Sequence, residues 1–167
     1  MGEKNNILVT GGYGFIGGNF IRFLQDNFPD NRIVCIDKDG YASNKDYVKD
    51  LCDKEYKLDI TNTLELENVF LSNEKFDYIF HFAAESHVDN SILGPKVFIE
   101  SNVLGTLNML ECFRKINNNY GKYYSIHIRR NDFQYKYLFI DNDTLLNNIK
   151  NIIPKGSCLY VSTDIKH

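Results

Sequence analysis

Thr10-Gly-Gly-Tyr-Gly-Phe-Ile-Gly17 follows the apolar run Ile7-Leu8-Val9 and opens a segment in which Phe15, Ile16, Phe20, Phe23 and Leu24 recur at helical spacing. Strand, glycine turn and helix in that order form the first half of a dinucleotide-binding unit. Gly11 permits the sharp turn off the strand, Gly14 lets backbone amides approach a pyrophosphate, and Gly17 lets the helix lie close on the sheet. The phosphates then meet the helix N-terminus, where free N–H groups and the macrodipole favour negative charge.

Alone, such a run also fits a plain glycine-rich turn. The next strand supplies the context. Arg32-Ile-Val-Cys-Ile36 ends in Asp37, twenty residues after Gly17, where this fold needs a carboxylate for the ribose hydroxyls of NAD. A carboxylate there argues for NAD over NADP, and Lys38 beside it pulls the other way.

Composition sets the outer limits. The 167 residues read as one domain, with 43% apolar and 25% charged residues, ordinary values for a globular protein with a real core. A net charge of −3 gives no electrostatic reason to expect nucleic acid or an anionic membrane as partner. No apolar run approaches a bilayer span and no leader pattern precedes the first strand, so the expected location is cytoplasmic. Asn6 stands where a myristoylation signal wants Ser or Thr. Cys35, Cys52, Cys112 and Cys158 form no C-x-x-C pair, and at least Cys35 and Cys158 fall in predicted strands, which makes buried free thiols the better reading.

Strands alternate with helices along the chain. The pattern predicts strands at 6–10, 32–37, 56–58 and 76–83, and helices at 15–28, 46–51, after an N-cap at Thr61, and from 95 to 116. Such alternation gives an α/β fold, a Rossmann-type doubly wound parallel sheet with right-handed crossovers. After Asn117 the rhythm changes. Residues 123–140 are aromatic, basic and roughly alternating, either an inserted strand pair or a poorly folded segment. A short helix over 143–152 and a strand at 158–161 follow.

Three further stretches narrow the reading: HFAAESHVDNS (His81 to Ser91), FIESNVLGTLNMLE (Phe98 to Glu111) and YVSTD (Tyr160 to Asp164). With the glycine turn and DKDGYASN from Asp37 to Asn44, they resemble the extended short-chain dehydrogenase/reductase family. Within it the resemblance is to the N-terminal part of the dTDP-glucose 4,6-dehydratases, lyases that use NAD. It covers 6–116 and 157–164, leaving 118–156 as a divergent insertion and a substrate domain missing.

The resemblance implies site residues. Gly11, Gly14, Phe15, Ile16 and Gly17, with Asp37, Lys38 and the turn to Asn44, would hold the adenosine and phosphates of NAD. Asp59 and Ile60 would flank the adenine. Ala83 and Ala84 would pass under the nicotinamide side, with Ser101 also contacting the cofactor. Ser86 and Thr163 would bind the sugar, and Asp164 would be the general acid. The implied partner is a nucleotide-sugar, dTDP-glucose foremost, and the helix 95–116 implies a homodimer, unless a complementing chain takes that place.

Position agrees with this independently, because ligands of open parallel sheets bind beyond the carboxyl ends of the strands. Plainer roles compete for some of these residues. Asp89 and Ser91 also suit helix capping, His87 suits a packed or surface histidine, and His81, within a buried strand, suits a structural one. His81, His87, His127 and His167 have no ligand spacing, so no metal site is expected.

Proton handling is incomplete. The family reaction moves hydride from the sugar to NAD, eliminates water and returns the hydride. It uses a tyrosine base with a lysine four residues on, plus an adjacent Asp–Glu pair. Here Ile165 follows Asp164, and an isoleucine takes no proton. The one Y-x-x-x-K, Tyr41 to Lys45, sits at the adenine end. Neither the substrate-binding part nor a sixth strand is expected, which leaves three readings: a dehydratase inactive as this chain alone, a non-catalytic NAD-binding module, or a truncated fragment.

Overall fold

The computed structural model describes residues 4–73, 75–116, 123–128 and 158–163, the last two segments as strand backbone. The chain runs β1 (Asn6–Thr10), α1 (Phe15–Asn27), β2 (Arg32–Asp37), a 3-10 turn (Lys45–Val48), β3 (Lys54–Lys57), α2 (Thr63–Ser72) and β4 (Tyr78–His81). Then come α3 (Val88–Leu93) and, after a break at Gly94, an unbroken helical run of α4 (Pro95–Ile99), a π-helical segment (Glu100–Gly105) and α5 (Thr106–Ile116). β5 (Tyr123–Ile128) and β6 (Cys158–Thr163) complete the sheet.

All six strands are parallel, in the order β3-β2-β1-β4-β6-β5. Side-chain alternation along the strands builds two cores, one on each face. Leu8, Val34, Ile36 and Ile79 point to one side and pack with Leu66, Val69 and Phe70 of α2 and with Met109 and Cys112 of α5. Ile7, Val9, Ile33 and Cys35 point to the other and pack with Ile21 and Leu24 of α1. The doubly wound sheet expected from the strand–helix rhythm is the one observed.

Several details differ from the sequence expectation. A sixth strand is present: β5 pairs with β6 from Tyr123↔Cys158 to Ile128↔Thr163, so among the described residues the edge strands are β5 and, on the far side, β3. The alternating Tyr-Tyr-Ser-Ile-His-Ile suits a strand. The cap of α2 is Asn62, whose side chain accepts from Glu65 N–H at 3.3 Å. The Thr61 hydroxyl is instead taken up by Asp59, at 2.8 Å. The expected helix over 46–51 is the 3-10 turn, β3 begins at Lys54, and β4 is shorter than predicted. The rest of 123–140, the helix over 143–152, Asp164, Ile165 and His167 lie outside the described residues.

Cys35 and Cys112 are buried free thiols, and Cys52 is half-buried and also free. The neighbouring Cys52 and burial hold the Cys35 thiol well above the usual thiol range, which suits a packing role. The side chain of Cys158 lies outside the described residues.

Candidate functional site

The carboxyl ends of β1, β2 and β4 converge on one cleft. Gly11 leaves β1 with φ +69, and a Cβ there would stand 2.6 Å from the Ala83 backbone nitrogen. Its own N–H donates to the Ile36 carbonyl at 2.7 Å, tying the loop to β2. Gly14 is the extended N-cap of α1, with no side-chain cap. Gly17 sets how closely the helix follows, since a Cβ there would meet the Gly11 carbonyl oxygen at 2.2 Å.

Asp37 is buried at the end of β2. Its Oδ2 accepts from Tyr13 N–H at 3.0 Å, and its Oδ1 accepts from Asp39 N–H at 2.8 Å and from the Ser43 hydroxyl at 2.9 Å. The turn is fastened back onto the glycine loop, because Asn44 N–H donates to the Tyr13 carbonyl at 2.7 Å. Tyr13 anchors the loop from beneath, its hydroxyl donating to Glu55 Oε2 at 2.6 Å. Burial, with Glu55 accepting that bond, pushes the phenol above its ordinary pKa.

The opposite wall is organised by His81. Thr10 Oγ1 lies 2.6 Å from its Nδ1 and Thr106 Oγ1 lies 3.1 Å from its Nε2, while the Thr106 hydroxyl donates to the Asn102 carbonyl at 2.8 Å. This set closes with a neutral ring protonated at Nε2. Burial lowers the His81 pKa to about 4, in keeping with that neutral form. From the π-helical segment, the Asn102 side chain grips the peptide of Glu85, accepting from its N–H at 2.7 Å and donating to its carbonyl at 2.9 Å. π turns widen a helix locally and are frequent at functional sites.

The cleft so formed holds about 680 Å³, counting the solvent at its mouth. Ten of the expected residues line it: Gly11 and Gly14; Asp37 and Lys38; Asp59 and Ile60; Ala83, Ala84 and Ser86; and Ser101 from the π-helical segment. Phe15, Ile16, Gly17 and Asn44 are not among its lining residues. Phe15 is 66% exposed. Gly17 and Asn44 act one step back, through the backbone contacts above. β6 carries Thr163 to the strand end beside β4, its side chain lying outside the described residues, as does Asp164.

Comparison with known proteins bears on this cleft. A family model described as GDP-mannose 4,6 dehydratase matches residues 8–127. The chain belongs to that family. A dTDP-glucose 4,6-dehydratase of Escherichia coli strain K12 is 42% identical over 112 residues, which is 65% of this chain and 30% of that protein. The dTDP-D-glucose 4,6-dehydratase of Dictyostelium discoideum is 37% identical over 157 residues, 92% of this chain and 35% of that one. Among solved structures, a dTDP-glucose 4,6-dehydratase of Streptomyces venezuelae with NAD bound matches at 38% identity and a TM-score of 0.59, over 66% of this chain and 36% of that chain. The chain thus spans about a third of the length of these dehydratase relatives. The expected kinship with the N-terminal part of the dTDP-glucose 4,6-dehydratases holds.

Within this dehydratase family chain, two residues that shape the surroundings of the cleft escaped sequence reasoning. Tyr13 occupies a variable position of the glycine turn, and nothing local signals its bond to Glu55. Glu85 stands between two expected cleft residues and carries a charge that a pyrophosphate repels. The signal for it was the unmatched cation Lys38, whose ammonium forms an ion pair with the Glu85 carboxylate across the cleft. His87 is exposed and precedes α3, where it makes no side-chain cap. Asp89 sits in the first turn of α3, and the Ser91 hydroxyl donates to the Val88 carbonyl at 2.6 Å. Among the described residues no group of three or more His, Cys, Asp or Glu is placed to hold a metal. Among the same residues, no helix is long and apolar enough to cross a membrane.

Proposed function

We propose that this chain binds NAD in the cleft beyond β1, β2 and β4, as the cofactor-binding part of a nucleotide-sugar dehydratase of the dTDP-glucose 4,6 type. The observation that carries the reading is Asp37, a buried carboxylate held by three donors of its own chain at the mouth of β2, facing a floor of Gly11 and Gly14. The residues fit the cofactor. The glycines leave no Cβ between backbone and pyrophosphate, Asp37 keeps lone pairs for ribose hydroxyls, and Ile60 and Leu58 offer apolar surface to a base. Bound NAD would supply hydride acceptance. The chain's own work is to orient it and exclude water.

At the other end, Ser86 and Thr163 would hold the sugar and Asp164 would serve as acid, at the ends of β4 and β6. Proton abstraction has no evident residue among the described ones. Lys45 of the Y-x-x-x-K pairs with Glu55 at 3.6 Å, and the Tyr41 hydroxyl accepts from Asn90 at 3.4 Å. No 4-keto-6-deoxy product is therefore expected when this chain alone is incubated with dTDP-glucose and NAD. Ile165 in place of the elimination base also favours a second reading, a non-catalytic NAD-binding module.

We assign the chain to the cytoplasm. We also propose a homodimer through the helix over 95–116, with α3 (Val88–Leu93) extending its open apolar face. There Ile92 and Leu93 are 74% and 86% exposed, and Val97, Val103, Leu104 and Leu107 are each about half exposed.

Calorimetric titration tests the cofactor. Wild type should bind NAD, and Asp37→Ala should weaken binding by roughly 1–3 kcal/mol, the scale of hydrogen bonds to a charged group. Equal affinity of the two folded proteins would contradict the ribose contact.

A further inference from the structure

The residue after Asp37 poses a chemical question. A lysine beside the ribose carboxylate is the kind of cation that a 2′-phosphate uses, so Lys38 on its own argues for NADP. The structure shows what that ammonium does instead. It is paired with the carboxylate of Glu85, which reaches from the end of β4 across the cleft.

Three observations make this more than a passing surface contact. The Glu85 side chain is nine-tenths buried, whereas that of Lys38 is 38% exposed. Asn102 holds the Glu85 peptide from both sides, at 2.7 and 2.9 Å, so the carboxylate is presented from a fixed backbone. Both partners line the same cleft. Nearby, the other lysine of the ribose end is occupied as well, since Lys57 donates to Asp39 at 3.0 Å.

We propose that Glu85 is a specificity-determining residue, which withdraws Lys38 from the cofactor and so sets the preference for NAD over NADP. The inference rests on the dinucleotide reading of the cleft given above. A 2′-phosphate entering beside Asp37 gives up hydration and needs a cationic donor in return. With Lys38 claimed by Glu85 and Lys57 by Asp39, it meets the Asp37 carboxylate and two neutralised pairs. NAD, with hydroxyls at that position, bears no such cost. Glu85 thereby acts through Lys38 and touches neither ribose nor phosphate.

The test measures dissociation constants for NAD and NADP on the full chain in wild type, Glu85→Gln, Lys38→Met and the double variant. Glutamine keeps the shape of Glu85 and the backbone grip of Asn102, and the double variant restores the wild-type net charge. Glu85→Gln is expected to improve NADP relative to NAD by roughly tenfold, the scale of one charge-assisted hydrogen bond. The gain should vanish in the double variant. Lys38→Met alone, where the cation is already withdrawn, should leave the ratio of the two affinities within twofold. An unchanged ratio in Glu85→Gln with NAD still bound overturns this inference and spares the cofactor reading. So does a gain that survives the loss of Lys38, or a ratio shifted by Lys38→Met alone. If wild type binds neither dinucleotide, both fall together.

Discussion

The ribose end of the cleft and the helical face from Val88 to Leu107 show two ways in which a chain can leave its surface. At Asp37 each carboxylate oxygen already meets a donor of the same chain, and the surrounding turn is fastened to the glycine loop by Asn44. On the helical face the side chains that would make a core, among them Ile92, Leu93 and Leu104, stand open to solvent. The first surface is finished by local backbone geometry, so in the proposed reading it would take a small ligand with little rearrangement. The second is the surface that the proposed dimer would cover, since apolar area of that extent is stabilised by burial.

The largest effect should come from breaking the finished side. Gly17→Ala places a methyl group 2.2 Å from the Gly11 carbonyl oxygen, and backbone must move to admit it. A loss of more than about 3 kcal/mol in urea unfolding is expected, at the upper end for overpacking. An alanine variant of near wild-type stability would show that the loop is loosely held.

Acid should loosen the same region from the other wall. His81 is neutral when folded, with a pKa lowered to about 4 from an ordinary 6.5. Between those values the unfolded chain binds the additional proton. Stability is therefore fully present above pH 6.5 and declines as pH falls towards 4, by on the order of 3 kcal/mol. Urea midpoints across pH 4–7 measure it, and His81→Gln should flatten that part of the profile.

The open face is probed separately. Leu104→Glu should weaken self-association by about 2 kcal/mol per protomer, the worth of one buried leucine, and leave NAD affinity intact. Sedimentation reads it: a wild-type monomer would remove the dimer, and a variant that also lost NAD would undo the separation of the two surfaces. The smallest effect belongs to Tyr13→Phe, which removes the donor to Glu55 from beneath the loop. A cost of about 1 kcal/mol is expected in urea unfolding, since Lys45 remains beside Glu55.

The sequence made one class of feature legible and hid another. The glycine turn, Asp37, the parallel alternation and the long helix 95–116 are written in local spacing, and they stand where that spacing places them. The cap of α2 was misjudged between neighbours, Thr61 and Asn62, because both residue types cap helices and only the fold shows that Asp59 takes Thr61. Tyr13 with Glu55 and Lys38 with Glu85 are separated by 42 and 47 residues. No periodicity records such pairs. They arise because β1, β2, β3 and β4 end at the same edge of the sheet. The strand at 123–128 was half legible: its alternation suggested a strand, but nothing local told which neighbour it would pair with.

The central claim is that a pyridine dinucleotide lies across the end of β1 with its ribose on Asp37. Amide chemical shifts followed by NMR during a titration with NAD test it most directly. The amides of Gly11, Tyr13, Gly14 and Asp39 should move together and saturate at one NAD per chain, while those of α2 stay still. A saturable titration that leaves these four amides unmoved, or no binding by a folded chain, would contradict it.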